Sequence, residues 1–208
     1  MKVLLVNGSP HEHGCTYTAL KEVADTLNAE NVETEILWLG NTPINDCKGC
    51  GYCKTKGRCV TGDDIVNDVG STLEQYDGFV FGSPVYYSGP DARLCAFMDR
   101  LFYAFGGKLQ YKPFASVVSC RRSGSTSSFE RLNQFALILN MPVVPSQYWN
   151  AVHGNRPEEV MQDLEGLQTM RTLGRNMAWM LRCFEAGKKN GIEPPAGAEE
   201  HIFTNFVR

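Results

Sequence analysis

The sequence has no excess of basic charge and no long apolar run. It carries 20 Lys and Arg against 23 Asp and Glu, a formal net charge of −3. A general nucleic-acid-binding protein is therefore not expected, because no basic surplus is available to neutralise phosphates. Runs such as 3–6 and 135–139 are too short to span a bilayer, and no charged start precedes a long apolar stretch. We predict a cytoplasmic protein with no membrane partner.

The segment after the first apolar run also lacks the common nucleotide-binding motifs. It reads Asn7-Gly-Ser-Pro-His-Glu-His-Gly-Cys-Thr16, without the lysine of a P-loop or the glycine spacing of a dinucleotide fingerprint. Because it contains no Lys or Arg, a phosphate here would be held by backbone amides and hydroxyls, with help from His11 or His13. The alternative is that this loop is an ordinary turn.

What the sequence does contain is the alternation of short apolar runs with helical patterns. Its composition, 43% hydrophobic and 21% charged, is ordinary for a folded domain. The pattern predicts an α/β fold in which a doubly wound, five-stranded parallel sheet carries helices on both faces. The predicted strands are 2–6, 34–39, 77–82, 114–119 and 142–148. The predicted helices are 16–27, 90–105, 127–139 and a long one from Pro157 to Gly187.

The last helix is too long for a small domain, so either Gly166 or Gly174 breaks it or it overhangs onto another subunit. We predict one domain over residues 1–187, with a cysteine-rich insertion at about 45–62. Residues 188–208 are predicted to form a C-terminal arm. The arm either contacts a partner subunit or packs back on its own domain.

Two further loops follow predicted strands. In open α/β sheets, ligands bind outside the carboxyl ends of the strands. The loop Ser83-Pro-Val-Tyr-Tyr-Ser-Gly89 combines a fixed turn with aromatic rings, which suits a flat heteroaromatic ligand, although surface tyrosines are the alternative. In the loop from Ser119 to Ser125, Arg121 and Arg122 would either face an anionic group or be solvated.

Cysteine supplies the most specific pattern. Four of the eight cysteines fall within thirteen positions, as Cys47-x2-Cys50-x2-Cys53-x5-Cys59. In a reducing compartment, such a group indicates a metal or redox site rather than a disulfide framework. Compact C-x2-C-x2-C arms are typical of [4Fe–4S] clusters. Zinc and metal-free thiols stay as alternatives.

The charge around these cysteines is positive. Lys48, Lys54, Lys56 and Arg58 against Asp46 give a local net charge of +3. This charge would partly offset the negative charge of a cluster with four thiolate ligands, or attract an acidic electron-donor protein, or serve neither role.

Two of the loops resemble a known family. Gly8-Ser-Pro, Gly14-Cys-Thr16 and Gly82-Ser-Pro-Val-Tyr86, with the strand–helix pattern, resemble the NADPH-dependent FMN reductase family, which has a flavodoxin-like fold. The cysteine insertion resembles that of its iron–sulfur flavoprotein branch. The resemblance covers about residues 1–185. The family's first motif usually reads G-S-P-R-x-x-G-N-T, so His11 and Cys15 stand here where Arg and Asn are common.

The resemblance implies that FMN binds at the strand-end loops. The residues implied around the FMN phosphate are Ser9, His11, Cys15, Thr16 and Tyr17. Those implied along the isoalloxazine ring are Ser83, Pro84, Val85, Tyr86, Tyr87, Ser88 and Gly89. The loop with Ser119, Arg121 and Gly124 would lie at the other edge of the ring.

The function expected from these features is FMN-dependent electron transfer between NAD(P)H and a flavin, a quinone or another small acceptor, with a [4Fe–4S] cluster at the four cysteines. The ring supplies the chemistry, so we assign no catalytic acid or base. One alternative is a single-electron carrier reduced by ferredoxin, and another is a zinc-bearing binding module without flavin. The resemblance also suggests a homodimer or homotetramer.

Overall fold

The computed structural model describes residues 1–62, 64–195, 199–200 and 202–204, so parts of the predicted C-terminal arm lie outside the described residues. The strands are β1 (Lys2–Asn7), β2 (Glu33–Trp38), β3 (Gly78–Tyr86), β4 (Gly89–Pro90), β5 (Phe114–Cys120) and β6 (Ala151–His153). The helices are α1 (Cys15–Ala29), α2 (Tyr52–Lys56), α3 (Ile65–Thr72), α4 (Ala92–Phe105), α5 (Ser125–Leu137), α6 (Pro157–Val160) and α7 (Leu164–Lys189).

Five strands form a parallel sheet in the order β2-β1-β3-β5-β6. The described residues contain six strands, one more than the five predicted. The sixth strand, β4, has two residues and pairs antiparallel with β3. The strand order reverses between β1 and β3, and ligands bind at such reversals in open α/β sheets.

Helices cover both faces of the sheet, as predicted. Strand β1 is apolar throughout because each face is buried. Its Leu4 and Val6 pack in the core formed with α3, α4 and α5. Its Val3 and Leu5 pack in the opposite core, formed with α1 and α7. The alternating burial fixes the register of β1, and with it the edge where the loop after Asn7 emerges.

One predicted strand lies elsewhere in the chain. The last parallel strand is β6 at 151–153, whereas the predicted segment 142–148 makes only one bridge, between Val143 and Phe114. Proline at 142 and 145 explains this, because proline lacks the N–H that a ladder needs.

The long C-terminal helix is interrupted before either predicted glycine. Helix α6 ends at Val160, and α7 begins after Asp163, whose side chain caps it by accepting from the Gly166 N–H at 2.9 Å. Gly174 instead allows close packing, since a Cβ there would approach the Thr26 side chain of α1 to 2.8 Å. Among the described residues, no helix has the length and apolar composition needed to cross a bilayer.

Candidate flavin and metal site

The three predicted loops emerge at one edge of the sheet. Asn7 at the end of β1 is aligned with Gly82 of β3, and Pro84 of β3 is aligned with Ser119 of β5. The Gly8 N–H also donates to the Gly82 carbonyl at 2.9 Å. The register therefore brings the loops together at the point where strand order reverses.

The first loop is shaped by its own polar groups. The buried Asn7 accepts a hydrogen bond at Oδ1 from the Ser9 N–H at 3.1 Å, and the Ser9 hydroxyl accepts from the His11 N–H at 3.1 Å. From β2, the Trp38 ring N–H donates to the Ser9 carbonyl at 2.8 Å. These bonds fix the backbone before any ligand binds.

Helix α1 starts directly after this loop without a side-chain cap. Its N-cap residue is Gly14, and no described side chain accepts from its first amides. The first N–H groups of a helix carry a partial positive charge and lack partners within the helix, so they suit a phosphate. Thr16 lies in this first turn, and its hydroxyl pairs with the Ser119 hydroxyl at 2.8 Å in a buried position.

The other predicted phosphate residues differ in exposure. His11 is exposed, whereas Cys15 and Tyr17 are half-buried. Burial raises the pKa of the Cys15 thiol, with smaller contributions from nearby glutamates, so this side chain stays neutral and does not repel an anion. Its Sγ lies 3.6 Å from the Gly154 carbonyl, which connects the loop to the segment after β6.

That contact brings a cation to the first loop. Arg156 lines the same cleft as His11, His13 and Cys15. The sequence pattern gave no sign of it, because Arg156 is far along the chain and belongs to a loop for which no role was predicted. The cleft thus contains one guanidinium beside a loop that has no Lys or Arg of its own.

The second loop is a tight hairpin between β3 and β4. Its two turn residues, Tyr87 and Ser88, have φ angles of +49° and +59°, which side chains other than glycine and asparagine seldom adopt. Positive φ at both positions is the backbone geometry of a two-residue hairpin turn, formed here by a tyrosine and a serine. Tyr87 is fully exposed and Tyr86 partly exposed, so both rings are accessible at the site edge.

The third loop packs against this hairpin. Gly124 has a φ of +86°, and a Cβ there would lie 2.7 Å from the Ser88 Cα. The Ser127 hydroxyl donates to the Ser88 carbonyl at 2.6 Å. Arg121 and Arg122 are both exposed. Only a glycine at 124 permits this approach, so the second and third loops form one continuous wall.

Two of the predicted ring residues lie in the framework behind this wall. The Ser83 hydroxyl is buried, accepts from the Asp91 N–H at 2.8 Å and donates to the Pro84 carbonyl at 2.8 Å. Asp91 in turn caps α4 by accepting from two N–H groups. Gly89 pairs with Tyr86 in the hairpin ladder. Ser83 therefore aligns the hairpin with the start of α4.

The residues present fit FMN. An uncapped helix start with hydroxyls beside it suits the phosphate, and the adjoining wall of proline, valine and tyrosine suits a flat ring. The loops that fit FMN are the ones that contain the two motifs at residues 8–16 and 82–86.

The cysteine insertion folds beside α4. Gly51 and Gly57 flank the short helix α2 and have φ angles of +69° and +64°. The four cysteines line one pocket together with Arg100, Tyr103 and Ala104 of α4. Cys47 and Cys50 are exposed, whereas Cys53 and Cys59 are half-buried.

Cys59 is held more firmly than the other three. Its N–H donates to the Asn67 Oδ1 at 2.9 Å, and the Asn67 amide donates back to the Cys59 carbonyl. Its sulfur accepts from the Arg100 Nε at 3.2 Å. Burial opposes ionisation of this thiol, but the bonds from Arg100 and at Thr61 outweigh it, so the pKa of Cys59 lies below its usual value.

Within the described residues, the four thiols share a pocket but form no ligand set for a single ion. No set of three or more His, Cys, Asp or Glu side chains in the described part of the chain is placed to hold one metal ion. A structural zinc needs its four ligands about 2.0–2.3 Å from one point. A [4Fe–4S] group bound by four cysteines attaches each thiolate to its own iron, so the sulfurs stand further apart.

Comparison with solved structures defines the class of fold. RosB, whose structure contains 8-demethyl-8-formylriboflavin-5′-phosphate, superposes with a TM-score of 0.69 over 100% of this chain and 91% of its own, at 14% identity. An archaeal flavodoxin superposes with a TM-score of 0.60 over 88% of this chain and 99% of its own, at 16% identity. The fold is therefore flavodoxin-like, as predicted.

The family follows from sequence. Residues 1–156 match the NADPH-dependent FMN reductase family, and the chain belongs to it. An iron-sulfur flavoprotein of Methanocaldococcus jannaschii is 32% identical, over 89% of this chain and 100% of that protein. An iron-sulfur flavoprotein of Methanosarcina thermophila is 23% identical, over 90% and 99%. The protein is thus a flavin-binding oxidoreductase of this family.

Proposed function

We propose that the protein is an FMN-dependent oxidoreductase that transfers electrons between NAD(P)H and a flavin, a quinone or another small acceptor, with a [4Fe–4S] cluster bound by Cys47, Cys50, Cys53 and Cys59. The observation that carries the proposal is the meeting of three strand-end loops at the reversal of strand order, beside an uncapped helix. Membership of the FMN reductase family supports it.

The first loop and α1 would hold the FMN phosphate. The N–H groups of Cys15, Thr16 and Tyr17 open the helix, and a helix N-terminus stabilises a nearby anion by about 0.3–1 kcal/mol in total through its dipole. The hydroxyls of Ser9 and Thr16 are buried beside them. His11 and Arg156 line the adjoining cleft and would supply positive charge at its mouth.

The second and third loops would hold the isoalloxazine ring. FMN, when bound, accepts a hydride and passes electrons on singly or in pairs. Pro84, Val85 and Tyr86 end β3 beside the ring position, and Gly124 lets the third loop approach Ser88. Tyr87 projects fully into solvent and would cover the exposed face. With these residues the chain orients the ring and limits access of water.

The cysteine loop would supply the route for single electrons. Helix α4 links the two sites, because its cap residue Asp91 bonds to Ser83 behind the hairpin while Arg100 and Tyr103 line the cysteine pocket. From residue 91 to residue 103 a helix advances about 18 Å at 1.5 Å per residue. The rigid helix would keep the flavin and the cluster at a constant separation.

A single-electron carrier reduced by ferredoxin is the second candidate. The observation that favours it is the exposure of the cysteine loop together with its charge. Cys47 and Cys50 are exposed. Lys48, Lys54, Lys56 and Arg58 stand in the same stretch against one acidic residue, Asp46. A positive surface of this kind steers an acidic protein towards it.

Three measurements test these proposals. The apoprotein, titrated with FMN, is expected to quench flavin fluorescence with 1:1 stoichiometry, and an absence of quenching contradicts the flavin site. Anaerobically purified protein is expected to contain iron and acid-labile sulfide, and zinc without sulfide contradicts the cluster. Rapid FMN bleaching by NADPH supports the reductase, whereas bleaching by reduced ferredoxin alone supports the carrier.

The remaining expectations stay predictions. They are the cytoplasmic location, the homodimeric or homotetrameric state, and the division into a domain at 1–187 and an arm at 188–208. Sedimentation analysis of the purified holoprotein tests the oligomeric state directly.

A further inference from the structure

Arg100 of α4 is a buried charged residue whose partners the flavin site does not explain. Its side chain has 0% exposure, which is unusual for arginine. It donates from Nη1 to the Asp64 Oδ2 at 2.5 Å and to the Asn45 carbonyl at 3.4 Å, and from Nη2 to the Thr61 carbonyl at 3.3 Å. Its Nε donates to the Cys59 sulfur at 3.2 Å.

These bonds tie both ends of the cysteine loop to α4. Asn45 precedes the first cysteine, and Thr61 follows the last. The loop between them depends on glycines in left-handed conformations, so its own backbone gives little rigidity. A single guanidinium therefore fixes the base of the loop and orients one of its four sulfurs.

We propose that Arg100 is a positioning residue of the cluster site, which orients the Cys59 sulfur as a ligand and raises the reduction potential of the cluster through its N–H···S hydrogen bond. The inference rests on the proposed [4Fe–4S] cluster. One-electron reduction adds a negative charge to the group of iron, sulfide and thiolates. A buried cation that donates to one of these sulfurs stabilises the reduced form more than the oxidised form.

The partner of Arg100 makes the proposal specific. Asp64 carries the opposing charge, and its Oδ1 is buried without a hydrogen-bond partner within the described structure. Removing the charge of Asp64 leaves Arg100 as an uncompensated cation beside Cys59, so the potential should rise. Removing the charge of Arg100 leaves Asp64, so the potential should fall. A purely structural role for this ion pair would move the potential in the same direction in both variants.

The test is a mediated redox titration of the anaerobically purified holoprotein, followed by EPR of the reduced cluster. In Arg100→Gln the ratio of reduced to oxidised cluster at a fixed solution potential should fall about tenfold. This corresponds to a reduction potential lower by about 59 mV for one electron. In Asp64→Asn the ratio should be higher than in the wild type. Arg100→Lys keeps the charge without the Nε donor, so a smaller decrease is expected. FMN content should match the wild type in all three.

Arg131→Gln is the matched control. Arg131 pairs with Asp99 of α4 at 3.6 Å in an exposed position, away from the cysteine pocket, so this variant should keep the wild-type potential. If Arg100→Gln loses iron but retains FMN, the iron loss is explained by a Cys59 sulfur that is no longer oriented. In that case a lowered reduction potential in Arg100→Lys supports the proposal.

Three results would overturn the proposal. They are equal potentials in Arg100→Gln and the wild type, a fall in both Arg100→Gln and Asp64→Asn, and loss of FMN together with iron from Arg100→Lys. Absence of iron and sulfide from the wild type would overturn the cluster itself. That result requires no variant, so the two failures are distinguishable.

Discussion

The flavin site and the cysteine pocket are built in opposite ways. The flavin site collects residues from the ends of β1, β3 and β5, and its key hydroxyls, those of Ser9 and Thr16, are buried. The cysteine pocket takes all four thiols from one short stretch, and Cys47 and Cys50 are exposed. The first site is rigid because the sheet fixes it, whereas the second depends on a few bonds to α3 and α4.

Because of this difference, we expect FMN binding and iron binding to respond independently to substitutions. Changes in the cysteine loop should leave the sheet edge intact, because the described side-chain hydrogen bonds of the loop run to α3 and α4 rather than to the strand ends. Changes at the sheet edge should affect FMN without releasing iron. Each prediction below tests whether the two sites respond separately.

The largest effect is expected from Cys50→Ser. The serine hydroxyl is a harder ligand than the cysteine thiolate and does not replace it on iron. Iron and sulfide should therefore be lost while FMN stays bound. Iron, sulfide and flavin analysis of anaerobically purified protein measures this directly. Cys183→Ser removes an exposed cysteine of α7 and is the matched control, with full iron expected. Full iron in Cys50→Ser would contradict the assignment of ligands.

Gly124→Ala should have the largest effect on the flavin. The left-handed φ of +86° strains alanine, and its Cβ would lie 2.7 Å from Ser88. We expect the Kd for FMN to rise at least about tenfold, which corresponds to about 1.4 kcal/mol. Fluorescence titration measures the Kd, and the iron content should not change.

Gly191→Ala is the control that separates backbone strain at a positive φ from the close contact between residue 124 and Ser88. Gly191 has a similar φ of +76°, but nothing lies within 4 Å of a Cβ there. This variant should bind FMN as the wild type does. An equal loss of affinity in both glycine variants would mean that the approach of Gly124 to Ser88 is unimportant for binding.

The sequence predicted the contiguous features well. The apolar runs gave the strand–helix alternation, and the spacing of Cys47, Cys50, Cys53 and Cys59 gave one shared pocket. Prediction failed at β6, because the Val143 segment is apolar but interrupted by prolines, while the true strand at 151–153 is too short to show a pattern.

The supporting residues of both sites could not be predicted, because their roles depend on tertiary contacts. Arg100 and Asn67 have no local motif, and the fold alone brings them to Cys59. Arg156 lines the cleft of the first loop because the fold brings the segment after β6 to that loop, where Cys15 contacts Gly154. Family resemblance points to candidate ligand loops, but the groups that support those loops come from elsewhere in the chain.

Thiol reactivity should distinguish the two regions in protein from which iron and FMN have been removed. Burial raises the pKa of Cys15, so its thiolate fraction near neutral pH is small, and the thiolate is the reactive form. Cys47 and Cys50 are exposed. Iodoacetamide should therefore modify Cys47 and Cys50 several-fold faster than Cys15, as measured by mass spectrometry of the digested protein.

Raising the pH should accelerate modification of Cys15, because its thiolate fraction increases towards the raised pKa. Added FMN should protect Cys15 without protecting Cys47. Protection of both would indicate that flavin binding orders the cysteine loop, and the two sites would then not be independent. Protection of neither would place the flavin away from Cys15.

The smallest effect is expected from the buried hydroxyl pair. Thr16→Val keeps the shape of the side chain but removes its 2.8 Å hydrogen bond to Ser119. A buried hydroxyl left without a partner costs about 1–3 kcal/mol, so the free energy of unfolding of the apoprotein should fall by about that amount. Urea denaturation measures this fall, and the Kd for FMN should rise several-fold.

The double variant Thr16→Val/Ser119→Ala separates stability from binding. Replacing both partners removes the unpaired hydroxyl, so part of the stability lost in Thr16→Val should return. Affinity for FMN should stay low, because the proposed phosphate contact at Thr16 is still missing. If affinity recovered with stability, the hydroxyl of Thr16 would serve only the packing of α1 against β5, and the phosphate would be held by the helix amides alone.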